Sequence, residues 1–569
     1  MLKNSTAWIL FCALTAVFGV LLVWPVLRVI GGGFYVDGRF TAEYLIGVFK
    51  NPIYAEGLWN SFKLAFGATA LASLYAIPLA WLAHTYKFRG QKIFSALLLV
   101  PMVLPPFVGA IGLMQMLGPY GAVNALLGCG PVDWFGQSRY FSIILLQSLA
   151  FYPIIYLNVV AALANIDPAL EEAAQNLGAS AATTFRRITI PLVMPGLFAG
   201  CTLVFIACFT ELGTPLMMSY SRCASVQVYD ALKEISSSPF PYALVTVVLI
   251  TSITLYSISR FAFGRQNYAM QSKATTVKNR RQLSGLKGVL VLLPFILVTT
   301  LALLPHTGVV LTSFSEPGSW YKSILPQSLT SANYVEALGH GMTLNAIRNS
   351  LLFSSLAVLF NLVVGVLAAW LIVRSRIKVR GIIDSLAMVP LAVPGLVMAF
   401  GYISISRYLA SLPGVMNSEW LLNLIDIREN PAMFLVIAYA VRRLPYMVRA
   451  AVAGLQQTPL SLEEAGANLG ASPLVSLRRI TLPLITANLI AGALIAFAFS
   501  MLEVSDSLML AQKIEFYPIT KTIFELFQLV GIGRYLASAL GVWAMVFLTV
   551  TIVGSSLLLG KKLGTLFRA

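Results

Sequence analysis

The 569 residues are 58% hydrophobic and only 11% charged, with a mean hydropathy of +0.82, whereas soluble domains carry roughly 25% charged residues. That balance excludes an ordinary soluble domain and describes a polytopic membrane protein. The excess of 39 Lys and Arg over 22 Asp and Glu would suggest nucleic acid in a soluble chain, but here the basic residues fall in short loops between apolar runs, where they report topology.

Apolar runs long enough for the roughly 20 residues that a bilayer requires predict spans at about 7–30, 57–84, 93–117, 139–164, 193–214 and 243–263, then at about 286–312, 347–373, 382–406, 431–455, 485–510 and 537–560. These make about twelve transmembrane helices, six in each half. The run from Trp8 to Ile30 exceeds the roughly 7–15 apolar residues of a signal peptide and lacks a small-x-small cleavage site, so it is expected to stay as the first span. Cys12, Cys129, Cys201, Cys208 and Cys223 are scattered without a C-x-x-C pair, which predicts neither a metal site nor a disulfide.

Basic residues set the orientation. Lys87, Arg89 and Lys92, then Arg265, Lys273, Lys278, Arg280, Arg281 and Lys287, then Arg374, Arg376, Lys378 and Arg380, and finally Lys561, Lys562 and Arg568 all fall on one side of the predicted topology. That side is expected to be the cytoplasm, with both termini on it. The polar, basic stretch 265–285 is expected to link a first repeat (1–264) to a second (286–569).

A polar island recurs in the two halves without a gap. Glu171-Glu172-Ala173-Ala174 leads to Gly178 and then to Arg186-Arg187-Ile188-Thr189-Ile190-Pro191; Glu463-Glu464-Ala465-Gly466 leads to Gly470 and then to Arg478-Arg479-Ile480-Thr481-Leu482-Pro483. The offset is 292 residues (463 minus 171). Other pairs recur nearby: Asn60-Ser61 with Asn349-Ser350, Pro101 and Pro105 with Pro390 and Pro394, Glu211 with Glu503. An even number of spans per half makes the repeats parallel, related by an axis along the membrane normal.

Leu170, Ala173, Ala174 and Leu177 share one helical face, as do Leu462, Ala465, Gly466 and Leu469. Pro168 and Pro459 read as the first helical residue, and Gly178 and Gly470 as left-handed helix ends. A short basic turn is expected to follow and to stop at Pro191 or Pro483. A lipid-facing hairpin would carry Lys or Arg and bulky anchors; Glu-Glu and alanines suit docking into a partner groove instead.

Ionisable residues within spans are costly and mark function by default. Arg442 and Arg443 fall in the tenth span, where they could form a cationic wall favouring an anionic or anion-complexed solute. Glu211 and Glu503 hold equivalent places in spans five and eleven, with Asp506 beside the second, and could line the gate or pair with the arginines. The same prolines could break spans three and nine where these line a cavity.

The pattern Glu-Ala-Ala, three residues, Gly, nine residues, Ile-x-Leu-Pro resembles the signature of the permease subunits of binding-protein-dependent ABC importers. Glu172-Ala173-Ala174, Gly178, Ile188 and Pro191 match it with Ile190 for Leu, and Glu464-Ala465, Gly470, Ile480, Leu482 and Pro483 match it with Gly466 for the second Ala. The resemblance covers nearly the whole chain as two fused permease domains. It is similar to the double-length subset for ferric iron, phosphonates and sugar phosphates, with Val441-Arg442-Arg443-Leu444-Pro445-Tyr446 and Arg449 as the run recurrent there.

That resemblance implies an all-α membrane fold and a cytoplasmic coupling helix in each half. Glu171, Glu172, Ala173, Ala174, Gly178, Glu463, Glu464, Ala465, Gly466 and Gly470 would dock two copies of an ATP-binding subunit, and a periplasmic binding protein would deliver the solute. The chain has no phosphate-binding loop, so ATP and Mg are expected on that partner and no cofactor on this chain. Ferric iron or a phosphorylated or phosphonate molecule is the expected solute. The alternative from another class is an ion-coupled secondary transporter with six-plus-six repeats.

Overall fold

The computed structural model describes residues 4–36, 38–102, 105–136, 139–235, 237–263 and 281–558. They form an all-α bundle in which the strands are confined to two short pairs. Ten helices are long and apolar enough to cross a membrane: Ser5–Phe34, Pro52–Thr85, Pro106–Leu127, Tyr140–Ala164, Ala182–Met217 and Phe240–Ile258, then Gly285–Phe314, Thr343–Arg374, Pro473–Met501 and Gly533–Gly554. They are spans one to eight, eleven and twelve. Span nine is a bent pair, Arg380–Leu391 and Gly395–Ala410, turned by 101°. The helix expected as span ten is present as Ala432–Gln457; Arg442, Arg443 and Arg449 set it apart from the purely apolar spans.

Span three, read from the sequence as one run, is interrupted as well. A helical piece Gln91–Met102 precedes the longer Pro106–Leu127. Pro105 and Pro394 sit just before the second pieces with extended backbone, at ψ 136° and 143°. A residue ahead of proline is pushed out of the helical region, and Pro106 follows Pro105 directly. Without an N–H, proline also cannot continue the ladder.

Within each half, spans two, four and five, or eight, ten and eleven, pack side by side. Span two presents Ala65, Ala68, Ala72, Ala76, Ala80 and Ala83 as a fully covered stripe. Small side chains let helix backbones come close where the surrounding solvent is as apolar as the side chains, so packing and not the hydrophobic effect holds the bundle.

Span one reaches into the other half. It packs against spans eight and nine there and against span six of its own half, as span seven packs against span three and against span twelve of its own half. The contacts are matched: a Cβ on Gly401 in span nine would lie 2.8 Å from the Pro25 Cβ in span one, and a Cβ on Gly308 in span seven would lie 2.7 Å from the Gly112 carbonyl carbon in span three. Gly112 and Gly401 are repeat equivalents, 289 residues apart (401 minus 112). The Tyr402 hydroxyl donates to the Leu21 carbonyl at 2.7 Å. Each half therefore receives the other's first span.

The linker expected at 265–285 lies mostly outside the described residues, as do the basic residues Lys561, Lys562 and Arg568. Its described end runs beside the loop after span two: Arg281–Gln282 pairs in parallel with Tyr86–Lys87, and the Leu283 N–H donates to the Lys87 carbonyl at 2.9 Å.

Candidate functional site

Two regions gather the residues singled out in the sequence. The first is the repeated motif. Its helices are Pro168–Asn176 and Leu460–Asn468. Asp167 caps the first, its carboxylate accepting from the Ala169 N–H at 3.0 Å, and Pro168 is the first helical residue. The second begins one residue later than its sequence suggests, with Pro459 in the cap position. Gly178 and Gly470 follow at φ +81° and +85°, the left-handed conformation that glycine adopts without strain.

Beyond them the expected short turn does not stop at proline. Ala181–Thr184 and Pro473–Ser476 run through a π turn, Phe185–Thr189 and Leu477–Thr481, straight into spans five and eleven. Pro191 and Pro483 occupy the second position of the helices that follow. The widened turn leaves some of its N–H groups outside the regular ladder, so a missing proline N–H costs nothing there.

The motif side chains divide in two. Glu172, Ala173, Glu464 and Ala465 are exposed, as are Gly178 and Gly470; Leu177 and Leu469 are 89% and 90% exposed. Glu171 and Glu463 turn the other way and accept from the Thr189 and Thr481 hydroxyls at 3.3 and 3.1 Å. Glu463 is buried and also accepts from Arg374 Nε at 2.9 Å. Ala174 is half-buried and Gly466 buried, because a Cβ at Gly466 would meet Ile480 Cδ1 at 2.6 Å. The stripe predicted to be a single docking face therefore splits into an anchored side and an open tip.

The second region is where spans five and eleven end. Both break at the repeated glutamate, and the chain makes a short helix, Gly213–Met217 or Ser505–Leu510, then a loop and a further short helix, Ala224–Ala231 or Ile519–Phe527. The repeated Asn-Ser pair of spans two and eight holds that excursion. Ser61 and Ser350 hydroxyls accept from the Ala224 and Ile519 N–H groups at 2.9 and 2.7 Å, the first residues of those helices. Asn60 donates to the Arg222 carbonyl at 2.9 Å and Asn349 to that of Glu515 at 2.7 Å. Ser225 and Thr520 hydroxyls donate to the Glu211 and Glu503 carbonyls at 2.8 and 2.6 Å. The two breaks also touch, since a Cβ on Gly213 would stand 2.9 Å from Val504 Cγ1.

The charges at the two breaks differ. Glu211 pairs with no arginine among the described residues: its carboxylate accepts from the Thr214 N–H at 3.0 and 2.9 Å, capping the short helix, and from Gln147 at 3.4 Å. Glu503 is buried and holds two, Arg442 Nη1 at 2.9 Å and Arg443 Nη2. Arg443 also donates to the Phe499 carbonyl at 3.0 Å. The arginines that could have formed a cationic wall are thus both paired with Glu503, because an unpaired charge at this depth costs far more than a paired one.

Asp506 is the exception. It is 1% exposed, Arg442 Nη1 stands 3.7 Å away, and neither carboxylate oxygen has a hydrogen-bond partner among the described residues. With Pro390, Gly395, Met398, Ala438 and Val441 it lines a small cavity beside Arg442. A Cβ at Gly395 would fall on the Arg442 guanidinium, which could keep its place beside Glu503 only if this residue is glycine. Sequence reading missed Gly395, and missed Arg374 as anything beyond topology; its place at the last position of an apolar span was the available signal.

A bundle of broken spans doubled about a shared axis, with an open helix tip in each half, is a membrane permease. The chain belongs to the family of binding-protein-dependent transport system inner membrane components, which matches it twice, over residues 76–267 and 361–560. It is similar to the ferric transport system permease protein FbpB of Actinobacillus pleuropneumoniae, with 29% identity over 505 residues, 85% of this chain and 69% of the relative. It is 28% identical over 519 residues to a putative ferric transport system permease, FbpB 1, of Haemophilus influenzae, covering 87% and 76%. A probable molybdenum ABC transporter permease of Haloferax volcanii is 33% identical over 233 residues, 40% of this chain and 82% of that one.

Proposed function

We propose that this inner-membrane permease is the pathway of an ATP-driven importer, taking a solute from a periplasmic binding protein and releasing it into the cytoplasm by alternating access. Two copies of a separate ATP-binding subunit dock on the motif helices and hold the ATP and Mg. The motif face, with both termini, is then cytoplasmic. The observation that carries this reading is the doubled open tip: Leu177 and Leu469 stand 89% and 90% exposed at matched helix ends. Covering apolar area yields roughly 25 cal/mol per Å², and Glu172 and Glu464 beside the tips give each contact a charge to orient it. Glu171 and Glu463 anchor the motif from behind.

Ferric iron is the solute we infer, supported by the names of the relatives that align with most of the chain. The test is co-purification of the full chain with the ATP-binding subunit from detergent. Leu177→Asp with Leu469→Asp is expected to release the subunit without lowering the yield of permease. In vesicles, uptake of radiolabelled ferric iron should outrun that of a phosphonate. A permease that retains no ATP-binding subunit and moves solute down an ion gradient would overturn the reading.

A further inference from the structure

Arg374, the last residue of span eight, joins three elements at the motif face. Its Nε donates to Glu463 of the second motif helix at 2.9 Å, and its Nη2 donates to the carbonyl of Thr458, which closes span ten, at 3.0 Å. Thr481, in the π turn that opens span eleven, donates its hydroxyl to the same Glu463 oxygen at 3.1 Å. All four residues are buried. One guanidinium thus ties the motif helix to spans eight and ten, and the carboxylate it holds ties them to span eleven.

The first half is built otherwise. The position matching Arg374 at the 289-residue offset is Thr85, which carries no cation, and Glu171 is half-buried with Thr189 at 3.3 Å. The repeat kept the Glu and the Thr but has no arginine at the end of span two to match Arg374. A buried guanidinium held at two points, by a carboxylate and by a carbonyl, is geometrically stiff, and loss of either member of its ion pair strands the other charge. Span eleven ends at Glu503, which clamps Arg442 and Arg443 beside the contact between the two breaks.

We infer that Arg374 is a positioning residue for transport: it makes the second motif helix and spans eight, ten and eleven move as one body, so that displacement of that helix reaches the break at Glu503. The inference rests on the docking proposed above. The guanidinium fork matters, not the charge alone, because a lysine could reach Glu463 or Thr458 but not hold both in one plane.

The full permease with its ATP-binding subunit would be reconstituted in liposomes with spin labels at Val132→Cys and Met416→Cys, on the face opposite the motifs, after Cys12 and Cys129 are replaced by serine. The readouts are subunit retention, ATP hydrolysis and the nucleotide-driven change in label distance. Arg374→Lys and Glu463→Gln are expected to keep the subunit and to hydrolyse ATP within about twofold of the parent, while the shifted distance population falls about five- to tenfold. Thr85→Ala should leave all three readouts unchanged. A normal distance change in both variants would overturn the inference. So would loss of subunit, hydrolysis and distance change in parallel with thermal stability, the behaviour of a purely structural contact. A parent protein that retains no ATP-binding subunit would instead overturn the docking reading, and this inference with it.

Discussion

Asp506 and Glu503 are three residues apart in one buried charge cluster, yet they have opposite expected effects on stability. Glu503 holds both arginines; Asp506 has no hydrogen bond to either oxygen among the described residues. Removing one partner of a buried pair costs about 3–5 kcal/mol, whereas replacing an unsatisfied buried charge by a neutral isostere relieves desolvation. Glu503→Gln should therefore lower the Tm of the detergent-solubilised protein, and Asp506→Asn should hold or raise it. An equal fall in both would mean that Asp506 is a necessary counter-ion for Arg442. Outside the membrane, Asp426 is buried, which opposes ionisation, but Arg428 grips it from Nε and Nη2 at 3.0 and 2.7 Å and holds its carboxyl below the usual range. A depressed folded value gives stability that is present above the ordinary carboxylate range and is lost as pH falls through the folded value. Hydrogen exchange at the Ile427 amide, which donates to Ser406 at 2.8 Å, should accelerate only in acid below that range.

At the scale of elements, glycines set which helices may touch. Gly401 and Gly112 face a crossing helix's backbone or proline ring with no space for a side chain. Gly401→Leu should detach span one from span nine and lower folded yield sharply. The same change at Gly554, which has nothing within 4 Å of a Cβ, should leave the folded yield unchanged or slightly raised, since leucine is preferred over glycine in a helix. The two would be compared by size-exclusion recovery after mild heating. The prolines were legible as interruptions, but the direction of the chain after each break was not. At the breaks of spans five and eleven the course of the chain likewise depends on distant groups, the Ser61 and Ser350 hydroxyls, which cap helices more than 160 residues away in sequence.

For the whole molecule, the exchange of first spans makes each half incomplete alone. Expressed separately, 1–264 and 281–569 should each be degraded, since span one and span seven would expose faces that the opposite half covers. Co-expressed, they should assemble, because the contacts that cross between halves do not need the connecting chain; blue-native electrophoresis would read this directly. Independent folding of either half would show that the exchanged spans contribute little.

The duplication, the permease class, the broken spans and the motif helices with their glycine ends were all legible in the sequence. Each rests on local rules: apolar length, proline geometry, positive φ, and two stretches compared in register. What only the tertiary structure decided was pairing across distance. From the sequence Arg442 and Arg443 could form an anion-favouring wall or pair with Glu211 or Glu503; the packing puts both on Glu503, some 60 residues on, and neither on Glu211 among the described residues. Glu463 read as a docking residue until Arg374, 89 residues earlier, was found to bury it. A linear pattern records which residues are charged; whether a charge is paired depends on which helices the packing brings together.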